Sequence, residues 1–156
     1  LISPDMHLQK GYRRSQGLVF RKNDKNFADF NSDFVKNFQR IINNSEINMI
    51  NRNRGSGTRV LLDHYLVDQQ PSGFFQEAKS HNSVAAAIAQ KRADWGFAIR
   101  SVAEDLGLGF IPIQDEEYDF VIPNERLQRT EVEKFISLLE EKEIKQKLAD
   151  LGLKTR

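Results

Sequence analysis

Between Asn48 and Arg59 the chain passes from a short apolar strand, through a basic loop holding two glycines, into a run with helical spacing. A strand that hands over to a helix so abruptly commits the polypeptide to helices layered on a sheet. The junction reads Ile50-Asn51-Arg52-Asn53-Arg54-Gly55-Ser56-Gly57-Thr58-Arg59, with the helix opening at Ser56 or Gly57. Free backbone N–H groups and the positive end of the helix dipole meet there. A small anion fits such a place. Arg52, Arg54 and Arg59 add forked donors suited to oxyanions and carboxylates. The plainer reading is an N-capping serine with glycines serving the turn.

The same alternation continues on both sides. Gly17 to Arg21 is expected as a strand, and the polar run Lys22 to Asn26 ends it. Phe27, Phe30, Phe34, Phe38 and Ile41 fall at helical spacing, with Asn31 or Ser32 as a cap inside the run. Such a stripe fits a buried helix face better than a cofactor box. A helix over about Gly57 to Gln69 would bury Val60, Leu61, Tyr65 and Leu66 and end before Pro71-Ser72-Gly73. An extended piece near Phe75 to Lys79 leads to Ser80-His81-Asn82-Ser83, a second helix start, and to the alanine-rich helix Val84 to Gln90. Asp94 to Ile99 reads as a buried strand, and Ser101 as the cap of a short helix that Gly107 stops. Phe110 to Ile113 and Phe120 to Ile122 read as strands around an acidic loop. Thr130 and Glu133 form a capping box for a helix through Leu139, and a last helix ends near Leu151-Gly152. The fold class is therefore α/β with a mainly parallel sheet flanked by helices. Ligands in such folds sit at the carboxyl ends of strands, where both helix starts fall.

A chain of 156 residues can bury a core of its own. It has no cysteine, which excludes disulfides and thiolate metal sites. It has no apolar run near the roughly 20 residues of a membrane span. It begins at Leu1 without a basic-then-apolar leader, so cytoplasm is the expected address, with a leader lost upstream left open. Net charge is +1, which argues against direct nucleic-acid contact. The charges are uneven: residues 1–60 carry eleven Lys/Arg against five Asp/Glu, and residues 101–123 carry six acids and no base. The three histidines are scattered, no His/Asp/Cys cluster has metal spacing, and no nucleophile elbow occurs. Asp115, Glu116 and Glu117 fit a solvated acidic loop better than paired catalytic carboxylates. No cofactor, no metal and no catalytic residue is expected.

Several motifs occur in a familiar order. Gly11-Tyr12-Arg13-Arg14-Ser15-Gln16-Gly17-Leu18-Val19 comes first, followed by Asn51 to Arg59 with Leu61-Leu62-Asp63. His81-Asn82-Ser83-Val84-Ala85-Ala86-Ala87-Ile88, Arg92-Ala93-Asp94-Trp95-Gly96, Ile99-Arg100 and Tyr118-Asp119-Phe120-Val121-Ile122-Pro123 complete the set. Over roughly residues 10–140 the chain resembles the periplasmic-binding-protein-like domain fused to molybdopterin biosynthesis proteins and helix-turn-helix regulators. More distantly it is similar to tungstate- and molybdate-binding proteins. The resemblance implies a type II fold of two α/β lobes joined by crossover strands near Leu18 to Phe20 and Tyr118 to Ile122, with ligand in the cleft. It implies a partial first lobe from residues 1–22 and 116–156, and a second lobe from 23–115 carrying the anion-binding helix start. It carries Arg54, Ser56, Gly57 and Thr58 over as anion ligands, with His81, Ser83 and Tyr118 added. Two departures stand out: Asn31 to Glu46 is longer than the family pattern, and the first lobe should begin well before Leu1.

The implied role is noncatalytic binding or sensing of a small anion, molybdate or tungstate first. Lobe closure would report occupancy to a fused or partner DNA-binding or biosynthetic domain. The alternatives are an effector domain of a transcription regulator with another small ligand, and an accessory domain of a molybdopterin biosynthesis enzyme. An incomplete lobe would expose apolar surface, so homodimer formation is also an expectation.

Overall fold

A computed structural model describes residues 3–30 and 33–155. The fold is mixed α/β, with an open sheet flanked by helices; three adjacent strands on one side are parallel, and the long strand beside them runs antiparallel. It divides into two compact units, residues 16–114 and residues 1–15 with 115–156. Six strands are paired in the order β3-β2-β4-β1-β5, with β6 on β1. The strands are β1 (Met6–Phe20), β2 (Met49–Arg52), β3 (Glu77–Ala78), β4 (Trp95–Ile99), β5 (Gly109–Pro123) and β6 (Lys154–Thr155). The helices are α1 (Phe34–Ile42), α2 (Gly57–Leu66), α3 (His81–Ala89), α4 (Arg100–Asp105), α5 (Thr130–Glu140) and α6 (Lys142–Asp150).

In the unit of residues 16–114, side chains alternate across β1 and so feed two cores. Leu18 joins Phe38 and Ile41 of α1, Leu62 and Leu66 of α2, and Trp95 and Phe97 of β4. Val19 joins Val84 and Ile88 of α3 and Ala103 of α4 on the other face. The phenylalanine stripe does enter the first core, but only part of it is helical. Phe27 closes a 3₁₀ turn capped by Asp24, and α1 begins at Phe34, capped by the Asp33 side chain accepting from Lys36 N. Asn31 and Ser32, the expected caps, lie outside the described residues.

Two helix ends differ from the sequence reading. α2 stops at Leu66 because Val67 and Asp68 turn left-handed, at φ 46° and 64°. Its inward face is Thr58, Leu62 and Leu66, spaced four apart, with Leu61 and Tyr65 half-buried beside them. Val60 therefore points outward and is 66% exposed, not buried. α4 starts at Arg100 with Ile99 at its cap position and no side-chain cap bond, so Ser101 lies inside the helix.

In the other unit, β5 runs unbroken through Asp115 to Glu117, where an acidic loop was expected. The three carboxylates are held in ion pairs: Asp115 with Lys154 of β6 at 2.9 Å, Glu116 with Arg14 at 2.5 Å, and Glu117 with Arg13 at 2.9 Å. Opposite charges facing each other across strands favour extended backbone. Thr130 is the first residue of α5 rather than its cap, a place Arg129 takes without a side-chain bond. Phe120 packs edge-on against Phe135 of α5, at 4.9 Å between ring centres.

Candidate functional site

Strand β2 is parallel to both neighbours, with Arg52 beside Ala78 of β3 and Ile50 beside Gly96 of β4. All three carboxyl ends therefore lie at one edge, and each strand leads there into a helix start. Residues 53–56 turn tightly between β2 and α2. Asn53 N donates to the Ala78 carbonyl at 3.1 Å, and Ser56 N to the Asn53 carbonyl at 3.3 Å. Gly55 takes φ 83°, a conformation that suits glycine, and a Cβ there would meet open space.

Ser56 is the cap of α2. Its Oγ accepts from Arg59 N at 3.2 Å and gives its proton to the Asn53 carbonyl at 3.0 Å. Its hydroxyl is thus spent on holding the turn. The N–H groups of Gly57 and Thr58 sit in the first turn, where a helix supplies no acceptor of its own. Gly57 is exposed and Thr58 is 3% exposed. Arg54 projects into solvent beside them.

The three arginines do not act alike. Arg59 is buried, and its Nε bonds both carboxylate oxygens of Asp63, at 2.8 and 2.9 Å. Its Nη1 donates to Glu77 at 3.0 Å and to the Arg52 carbonyl at 3.2 Å, and the guanidinium lies 4.8 Å over the Phe74 ring. Arg59 thus has an internal role, paired with two carboxylates. Arg52, also buried, reaches His81 Nδ1 from Nη1 at 3.1 Å. A guanidinium only donates, so Nδ1 is the acceptor there and the neutral ring carries its proton on Nε2. That bond ties the end of β2 to the start of α3.

α3 is capped as α2 is. Ser80 Oγ accepts from Ser83 N at 3.0 Å and lies 2.8 Å from Ser83 Oγ, so the Ser83 hydroxyl is engaged within the cap. Tyr118 belongs to the other unit, where its ring stacks on Tyr12 at 5.3 Å and Arg14 lies 4.9 Å over it. Arg52, Arg54, Ser56, Gly57, Thr58, Arg59, His81 and Ser83 are thus brought to one sheet edge within one unit. The sequence reading missed the partners that fix Arg59, although an aspartate four residues on along a helix is a visible signal. Arg100 opens α4 at the same edge, with its guanidinium 4.8 Å over Phe110 and 3.5 Å from Glu104.

A cavity of about 290 Å³ lies at the far end of α2, lined by Leu66, Asp68 and Phe74 among others, away from the helix starts. Among the described residues no group of His, Cys, Asp or Glu is arranged to hold a metal ion. No described helix is long and apolar enough to cross a membrane.

A family model described as the PBP superfamily domain matches residues 2–140. The chain belongs to that superfamily, the periplasmic binding proteins. Over 122 residues it is 34% identical to the Bacillus subtilis protein YvgK, covering 73% of this chain and 37% of that relative. It thus spans little more than a third of YvgK's length. Solved structures share the fold. A Clostridium perfringens protein described as a phosphate ABC transporter substrate-binding protein, with phosphate bound, matches at TM-score 0.71 and 15% identity. That match covers 97% of this chain and 72% of the other. A Geobacter sulfurreducens tungstate ABC transporter structure matches at TM-score 0.65 and 13% identity, over 92% of this chain and 67% of the other.

Proposed function

We propose that this domain binds a small tetrahedral oxyanion without transforming it, at the starts of α2 and α3, with molybdate or tungstate as the first ligands to try. The observation that carries the reading is the pairing of two capped helix starts on adjacent parallel strands. There the Gly57 and Thr58 N–H groups, Arg54 and the Arg52–His81 pair supply donors and positive charge, and no carboxylate lies in residues 52–59 or 79–83. Two helix dipoles and backbone N–H groups favour an anion at that edge. In this reading Arg54, Gly57 and Thr58 touch the ligand, Arg52 and His81 frame it, and Ser56, Ser83 and Arg59 hold the frame. Tyr118 enters on family resemblance alone. Membership in the binding-protein superfamily supports the reading, as do phosphate and tungstate in the descriptions of structural neighbours. We place the ligand-carrying lobe in residues 16–114 and the remainder in a partial first lobe, with occupancy read by a fused or partner domain.

The test is a thermal-shift series with molybdate, tungstate, phosphate and sulfate on the protein and on an Arg54→Ala, Gly57→Pro variant, which removes the exposed guanidinium and one backbone donor of the first turn. A ligand that binds only the folded state raises stability by about 2.7 kcal/mol at one hundred times its dissociation constant. A selective rise in Tm that the variant loses is the expected result. No rise with any oxyanion, or an equal rise in the variant, removes the site from these helix starts.

A further inference from the structure

Gln16 is a buried polar residue of β1. It is 4% exposed, and among the described residues nothing hydrogen-bonds to its fully buried Oε1. Buried side-chain polar atoms are usually satisfied, and leaving one without a partner is destabilising. The residue next but one is Leu18, fully buried in the core that contains Leu62 and Leu66 of α2. Alternation along β1 therefore turns Gln16 toward the α2 side of the sheet.

Its height along the sheet follows from register. Gln16 lies opposite Ile99, the last residue of β4, and Ile50 of β2 lies beside Gly96. Three residues further along each parallel strand, Ile99 is level with Asn53, where the turn into α2 begins. Gln16 is thus at the carboxyl edge, on the face over which α2 starts, separated from β2 by β4 alone.

We propose that Gln16 is a further ligand-contacting residue of the oxyanion site, kept polar at the expense of the empty domain's stability; this rests on the function proposed above. Its amide holds two N–H donors and one acceptor, and the terminal torsion of a glutamine is broad enough to present either end. An N–H end would meet any oxyanion oxygen. The carbonyl end would meet only an oxyanion that keeps a proton, as hydrogen phosphate does.

The test compares the protein with Gln16→Leu by calorimetric titration of tungstate and of inorganic phosphate, and by melting without ligand. We expect affinity to fall about tenfold, the equivalent of one hydrogen bond to a charged group. We expect the ligand-free Tm to hold or to rise by roughly 2–4 °C as the unsatisfied amide is removed. Loss toward both probes marks the N–H end, and loss toward phosphate alone marks the carbonyl. Unchanged affinity overturns the proposal, as does a fall in affinity accompanied by a fall in ligand-free Tm. If the leucine variant does not fold, Gln16→Met, which keeps the side chain's length, is judged by the same two readouts. Failure of the unsubstituted protein to bind either probe overturns the oxyanion reading and this inference together; binding that the Gln16 variants retain overturns this inference alone.

Discussion

Arg59 and Arg54 stand five residues apart in one basic segment, yet one is buried and the other exposed. Arg59 is buried, and its bonds to Asp63, Glu77 and the Arg52 carbonyl join α2 to β2 and β3. Replacing it with methionine would keep the apolar stem over Phe74 and remove the ion pairs. Its partners are half-exposed, at 48% and 38%, so water can take over part of what is lost. We therefore expect Arg59→Met to cost about 1–3 kcal/mol in denaturant unfolding, with m unchanged. Arg54 is exposed. Arg54→Ala should leave unfolding within about 0.5 kcal/mol of the original while weakening oxyanion binding, which titration calorimetry would resolve. The basic composition of this segment was legible in the sequence, but the division of labour was not. It depends on Glu77, eighteen residues away and brought alongside by β3.

At the scale of elements, the two helix starts were the most legible part of the chain. Serine is favoured at the cap of a helix, and both Ser56 and Ser80 fill that position. Ser56→Ala should cost about 1 kcal/mol in chemical denaturation and loosen the turn that presents Gly57 and Thr58. Helix ends and strand lengths were less legible because they answer to distant partners. β5 continues through three acidic residues, which Arg13, Arg14 and Lys154 face in ion pairs. Ser101 failed as a cap because β4 carries straight into α4 at Ile99. Val60 was misassigned because apolar character alone does not fix the inward face; Thr58, Leu62 and Leu66 hold it. Gly73 is a case where backbone geometry decides. It has φ 83°, and a Cβ on it would overlap the Met49 carbonyl, so Gly73→Ala should destabilise the β2 region strongly enough to lower Tm by several degrees.

For the whole molecule, the two units should respond to different variables. In the unit of residues 1–15 and 115–156, the hydrogen bond from Lys154 holds the Asp115 carboxyl below its usual range, against a smaller opposing effect of burial. A carboxylate with a depressed folded-state pKa stabilises above its unfolded value, near 3.8, and loses that contribution as pH falls through the lower folded value. Asp115→Asn should therefore be slightly less stable than the original protein above about pH 4, with the difference closing as pH falls below it, as denaturant unfolding followed by circular dichroism would show. Oxyanion, by contrast, should act on residues 16–114. The α/β class and superfamily were readable because several motifs recur in order over most of the chain. Gln16 was not singled out, since only packing reveals an amide without a partner.

The central claim is that the starts of α2 and α3 receive the anion, and it is tested most directly by following backbone amide resonances during titration with tungstate. The account predicts saturable shifts concentrated at Gly57 and Thr58, with smaller ones from Ser80 to Ser83, reaching a plateau at a common dissociation constant. Saturable shifts that spare Gly57 and Thr58 and gather elsewhere, or none at all with tungstate, molybdate or phosphate, would contradict it.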